Sequence, residues 1–322
     1  MDWADRIGRR IRLRDLHVLL AVAERGSMAK ASAHLSISHP VVSKTISDLE
    51  RTLGVQLFDR NSRGVELTTY GQALLKCGVT VFDEMRQGLK QIEFLTDPAS
   101  GELRIGCPEI TMAGLLPAIV ERFSQLYPRI RLHVALANTG ALQFQGLRER
   151  NVELLIGRMP QTFVEDDLTA EILFDEPFVA VAGVRSRWAR RRQLRLDDII
   201  GEPWVLPPFD TTPGLLILEI FRASKLQPPQ TNIATLSVQL TVTLIASGQF
   251  VGLLPSSVAV FNAGRIGLKT LPIKLPALRF AAGIITVKGR TLSPLAELFI
   301  GCAREMARSM SEPTGRRKAR SA

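Results

Sequence analysis

The stretch Ser36–Glu50, SISHPVVSKTISDLE, sets Ser38, His39, Pro40, Ser43, Lys44 and Ser47 at spacings that share one side of a helix, with Val42, Ile46 and Leu49 on the other. The first group has a common chemistry. Hydroxyls and an imidazole donate and accept directional hydrogen bonds, a pyrrolidine ring offers apolar surface to a methyl group, and Lys44 can reach a guanine edge or a phosphate. These are the contacts by which base edges are read in a major groove. A solvated helix face is the alternative, and the pattern alone leaves both open.

Other chemistry is sparse. Arg60 and Arg63 flank a turn in DRNSRGVELT, placed to touch phosphate or a minor groove beside the helix. Cys77, Cys107 and Cys302 lie far apart with no CxxC, and the four histidines form no HExxH, so neither a disulfide scaffold nor a zinc site is expected. No GxSxG, Walker loop or GxGxxG occurs. The expectation is therefore a protein without catalytic residues, metal or cofactor.

The elements that must position these groups follow from periodicity. Leu13, Leu16, Leu19, Leu20 and Ala23 build one apolar stripe of a first helix, which Gly26 ends. Ser27 is placed to N-cap MAKASAHL, whose Ala29, Ala31 and Ala33 allow close helix approach. After Ser36-Ile37, Ser38 N-caps a third helix with Pro40 in its first turn, where a missing N–H does no harm. Two helices joined by a short turn, the second with small polar groups outward, form a helix-turn-helix. The turn between Asn61 and Gly64 then predicts a small β-wing. From Thr69 to about Leu95 the chain reads as one long helix with Leu75, Phe82 and Leu89 at one heptad position and Gly78, Met85 and Ile92 at another. TDPASGEL, from Thr96, marks a hinge. Beyond it apolar strands alternate with helical runs, which predicts an α/β region with a parallel sheet wound on both faces.

Composition sets limits on class. The 322 residues suit two or three domains, and 46% hydrophobic with 22% charged residues describes a globular chain. The formal net charge of +10 divides into +3 over residues 1–95, +3 over 96–302 and +4 over 303–322, and GRRKAR near the C-terminus is read as a solvated end. VRSRWARRRQLR, Val184–Arg195, is read as a solvated loop in preference to a second nucleic-acid site. The N-terminal MDWADRIGRRIRL has no apolar signal core, and the most apolar stretch, Leu240–Phe261, is interrupted by Ser247, Gly248, Gln249 and Pro255. No membrane association and a reducing, cytoplasmic location are expected.

The run Asp15–Leu75 resembles the DNA-binding domain of LysR-type transcriptional regulators almost continuously. AVAERGS, the A-x-x-L of the second helix, S-x-P-V-V-S, ISDLE-x-x-LGVQLFDR and LT-x-x-G carry the resemblance. His39 departs from it, since the family most often has glutamine there. Residues 100 to about 308 are similar, more loosely, to the family's effector domain, at GLLP (Gly114–Pro117), ELLIG (Glu153–Gly157, Glu where Asp is usual) and SGQFVGLLP (Ser247–Pro255).

The resemblance implies an α/β chain with an N-terminal winged helix-turn-helix (11–68), a linker or dimerisation helix (69–95), a C-terminal two-lobed α/β effector-binding domain (100–308) similar to periplasmic solute-binding proteins, and a basic tail (309–322). It implies promoter duplex DNA, RNA polymerase, a second copy of the chain in a homodimer or homotetramer, and a small organic effector as partners. Leu75, Phe82, Met85, Leu89 and Ile92 become the dimer seam. Ligands of open α/β sheets bind at the carboxyl ends of strands, where helix N-termini suit anions. By that rule Thr111, Asn138, Thr139 and Gly140 are expected to line the effector site, with a third wall from Pro208, Asp210 and Thr211. Cys107, at a predicted strand end, is read as a buried thiol in preference to the redox sensor that some regulators of this kind carry. The rival reading is a two-lobed solute-binding protein or enzyme carrying an accessory DNA-binding module.

Overall fold

The structure, a computed structural model, describes residues 10–61, 64–137, 144–160, 163–276 and 280–311. Arg63, Asn138, Thr139, Gly140 and most of the expected tail (312–322) lie outside the described residues. The chain divides into two compact units, Met1–Leu89 and Lys90–Ala322.

In the first unit α1 (Leu13–Arg25), α2 (Met28–Leu35) and α3 (His39–Leu53) precede an antiparallel pair, β1 (Phe58–Asn61) and β2 (Gly64–Leu67), and then the long α4 (Thr69–Thr96). Gly26 ends α1 with φ 61°, the left-handed conformation that glycine adopts without a Cβ clash. Val42, Ile46 and Leu49 are buried together with Val18, Leu19, Val22, Ala31 and Phe58, as the spacing in α3 predicts. Truncating Ile46 to Ala would cost about 2–5 kcal/mol.

Two packing expectations are corrected. The single stripe on α1 is replaced by two buried faces. Val18, Leu19 and Val22 enter the three-helix core, and Leu16 and Leu20 close on Gly78 of α4, where a Cβ would come within 2.7 Å of Leu20 Cδ1. Leu13 is exposed. In α2 the burial falls on Met28 and Ala31, and Ala29 and Ala33 face solvent, because a helix of 8 residues packs through only one narrow edge.

The second unit holds two five-stranded sheets. One has the order β4-β3-β5-β12-β6, from β3 (Gly101–Cys107), β4 (Ile130–Leu136), β5 (Leu154–Pro160), β6 (Leu168–Asp175) and β12 (Phe280–Val287). The other has the order β11-β7-β10-β8-β9, from β7 (Phe178–Gly183), β8 (Trp204–Leu206), β9 (Thr231–Ala234), β10 (Val251–Pro255) and β11 (Leu268–Thr270). The chain enters the second lobe after Asp175 and returns to the first after Thr270, so β12 closes the sheet that β3 began. The parallel sheet expected from strand–helix alternation is present in β4-β3-β5 and in β9-β8-β10. Each sheet also gains antiparallel strands, because β12 returns against β5 and β6 and β7 pairs with β10 and β11.

Helices cover the sheets: α5 (Glu109–Met112), α6 (Leu115–Leu126), α7 (Gln145–Arg148), α8 (Thr212–Ala223), α9 (Val238–Ala246), α10 (Ser256–Ile266) and α11 (Pro294–Ser311). The first lobe's core joins Ile105, Ile119, Phe123, Ile156 and Phe299, and the second joins Trp204, Ile217, Phe221 and Leu253. The last helix runs to Ser311, into the segment expected as a tail.

Candidate DNA-reading face and effector cleft

Ser38 takes the N-cap position of α3 with an extended backbone (ψ 146°), and His39 and Pro40 follow it in the first turn, where N–H groups have no intrahelical acceptor. Its hydroxyl makes no capping bond, and neither does that of Ser27 ahead of α2. Ser38, His39, Pro40, Lys44 and Ser47 are exposed, and Ser43 and Ser27 are half-buried. The three-residue and four-residue periods therefore sort α3 into an apolar side held in the core and a polar side turned outward. Val41, exposed at 40% on the same first turn, was missed because its type reads as core; it offers the apolar surface that a thymine methyl requires.

The polar side is held in place from behind. The buried carboxylate of Glu50, near the end of α3, accepts the backbone N–H of Leu57 at 2.9 Å and of Phe58 at 3.3 Å, which ties the helix to the start of the wing. Val65 N–H donates to Gly26 O at 3.2 Å, joining the wing to the first turn. Gly71 lies so close to the chain at Leu57 that a Cβ would meet its carbonyl oxygen at 2.1 Å. Arg60 sits on β1 opposite Val65. On α4 the expected seam divides: the ring of Phe82 lies 5.7 Å from that of His17 on α1, and Leu75 is half-buried. Met85, Leu89 and Ile92 are exposed, and Leu95, not anticipated, extends their row.

In the second unit a cavity of about 670 Å³ opens among the carboxyl ends of β3, β5, β8 and β10 and the first turns of α8 and α9. That volume lies within the usual range for small-molecule sites. Its walls are largely aliphatic and aromatic, with Phe144, Met159, Phe163, Leu216, Leu253 and Phe280 among them. At one wall Arg158 pairs with Glu176 (Nε to Oε2, 3.1 Å) and donates from Nη2 to the Glu176 carbonyl oxygen. Phe178 and Phe280 lie 4.4 and 5.1 Å from its Cζ. Ser257 Oγ donates to the other carboxylate oxygen of Glu176. Burial raises the Glu176 carboxyl above the usual carboxylate range against the pull of Arg158, and burial likewise lowers the guanidinium. Glu176 follows β6 where the chain first passes between lobes, so the pair ties that crossing to β5 and α10.

Of the expected effector residues, Asn138, Thr139 and Gly140 lie outside the described residues. Thr111, Pro208, Asp210 and Thr211 are not among the residues that line this cavity. Thr111 is buried, and its hydroxyl has no partner among the described residues. Thr211 is spent on its own helix, where Oγ1 accepts Gly214 N–H at 3.3 Å and donates to Pro208 O at 2.6 Å; the neighbouring Pro207, Thr212 and Pro213 form the wall instead. The strand-end rule was applied to two strands and not to β5. Used there it finds Arg158 and Met159.

Burial pushes the Cys107 thiol up, and the side chain is fully covered. The arginines of 184–195 are exposed, with Arg187 paired to Glu202. Among the described residues no three His, Cys, Asp or Glu side chains come together in a metal-binding group.

Comparison with known proteins fits this geometry. The family model described as bacterial regulatory helix-turn-helix protein, lysR family, matches residues 13–72, and the LysR substrate binding domain model matches residues 96–308. The chain is 29% identical over 292 residues to the transcriptional dual regulator GltC of Bacillus subtilis (strain 168), covering 89% of this chain and 94% of that protein. It is 32% identical over 256 residues to the HTH-type transcriptional regulator TfdS of Cupriavidus pinatubonensis, covering 77% and 84%. The crystal structure of full-length CbnR complexed with its target DNA shares the fold, with a TM-score of 0.59 at 19% identity over 92% of this chain and 100% of that one.

Proposed function

The chain belongs to the LysR family of bacterial transcriptional regulators, and from that premise we propose that its DNA sequence is read by the outward side of α3 and its response is set in the cavity of the second unit. One observation supports the reading most: Ser38, His39, Ser43, Lys44 and Ser47 present polar groups with no hydrogen bond or ion pair within the described residues, on a helix whose opposite side is fully buried. Such groups can exchange water for base edges without breaking anything in the protein. Arg60 and the wing add phosphate contacts beside the groove.

The exposed row Met85, Leu89, Ile92 and Leu95 on α4 is assigned to a second copy of the chain. No residue is given a catalytic role. The GltC and TfdS relatives are transcriptional regulators. A regulator that binds a bacterial promoter works in the cytoplasm, and that location is part of the reading. No described helix is long and apolar enough to cross a membrane.

Replacing Lys44 with Ala tests the face. Anisotropy titrations against a duplex selected from a random pool should show a loss of about 1–3 kcal/mol if the ammonium meets a base edge. A phosphate contact would instead weaken selected and random duplexes alike and reduce the salt slope by about one. Unchanged affinity for both duplexes at every salt concentration would remove Lys44 from the interface.

A further inference from the structure

The lining of the cavity supports a deeper statement, which rests on reading it as the effector site. We propose that its ligand is an uncharged, predominantly apolar small molecule, held by contact area and oriented by a neutral hydroxyl or carbonyl group. This replaces the anion that helix N-termini at strand ends suggest.

The rim is the first reason. Leu136, Val164 and Leu236 line the cavity and remain 68%, 82% and 52% exposed. Aliphatic side chains gathered around a concave opening gain free energy when another apolar surface covers them, in proportion to the area removed from water.

The second reason is that the places where an anion would dock are filled from within the chain. At α8, Pro213 has no N–H and Gly214 N–H is taken by Thr211 Oγ1. At α9, Ser237 Oγ accepts Leu240 N–H at 3.3 Å, and the carboxylate of Glu109, on the other lobe, accepts Val238 N–H at 2.9 Å. An arriving carboxylate meets a helix end that already has its negative charge.

Charge balance is the third. Among the described lining residues Arg158 is the basic one, and Glu176 matches it. Two carboxylates share the lining, Glu109 on the α9 N-terminus and Glu165 paired with Arg148 at 2.7 Å. An anion is repelled, and a cation would lose its hydration to carboxylates already engaged. The hydroxyl of Thr212 has no partner among the described residues and can meet a neutral oxygen.

The test uses the full chain and Nile red, an uncharged dye that brightens in apolar surroundings, displaced at neutral pH by naphthol, naphthoate and naphthylmethylammonium. Naphthol should displace the dye at concentrations about tenfold or more below either ion. Leu216→Trp, which fills the cavity, and Thr212→Trp, at an exposed lining position where folding is not at stake, should each abolish dye binding. Glu109→Ala should raise naphthoate affinity by about tenfold by freeing the α9 N-terminus. Naphthoate displacing best, with both tryptophan variants still blocking, would overturn the ligand class and leave the cavity as the site. Dye binding unchanged in both tryptophan variants, or no dye binding to the parent protein, would overturn the site as well.

Discussion

His39 is the side chain at which α3 differs from what the resemblance to LysR-type regulators implies. It stands exposed in the first turn of α3, where the resemblance implies glutamine. An imidazole offers one donor and one acceptor in a rigid ring, whereas glutamine carries both on a longer, flexible arm. His39→Gln should therefore change the preferred base at one position of each half-site by roughly 1–3 kcal/mol and leave random-duplex affinity nearly unaltered. Selection of sites from a randomised pool with both proteins measures this. The same consensus from both would reduce His39 to a packing residue, and Ser43 and Lys44 would read the site without it. Cys107, by contrast, does no chemistry in this account: its thiol is wholly covered and its ionisation is opposed by burial.

At the scale of elements, α4 carries the sharpest claim. Leu89 and Ile92 are 60% and 62% exposed on a helix whose earlier turns pack on α1. Leu89→Glu should weaken self-association by about 2 kcal/mol or more while the monomer stays folded, because a carboxylate is carried into the apolar seam only when two copies meet. Sedimentation of an unchanged dimer would place the interface elsewhere. Phe82→Glu would act differently, by disturbing the contact with His17 within the chain. Periodicity could not separate these cases. A heptad pattern says that a side is buried and not by whom, and Phe82 and Leu89 occupy the same heptad position. Where one partner is available the pattern suffices, as at Val42, Ile46 and Leu49. Strand-end logic named Thr211, whereas Thr212 lines the cavity wall, because the threonine that caps a helix turns into the helix it caps. Arg158 lay within reach of the same rule at the end of β5, but its pairing with Glu176 did not, because the pair spans two elements that only the folded lobes bring together.

At the scale of the molecule, the +10 net charge favours any duplex and carries no sequence preference, so discrimination is assigned to the few groups on α3. The cavity adds a separate ligand chemistry in the same polypeptide, which is the arrangement a regulator needs for coupling two binding events. A solute-binding protein or enzyme with an incidental DNA module would not require that side of α3 to discriminate sequence. Nuclease protection on genomic fragments recovered with the protein tests the point most directly, comparing the parent chain with Ser43→Ala/Lys44→Ala/Ser47→Ala. The parent chain should protect discrete segments, and the triple variant, still folded because all three positions lie outside the core, should lose them while keeping weak, uniform binding to any duplex. Equal protection of the same segments by both proteins would contradict it.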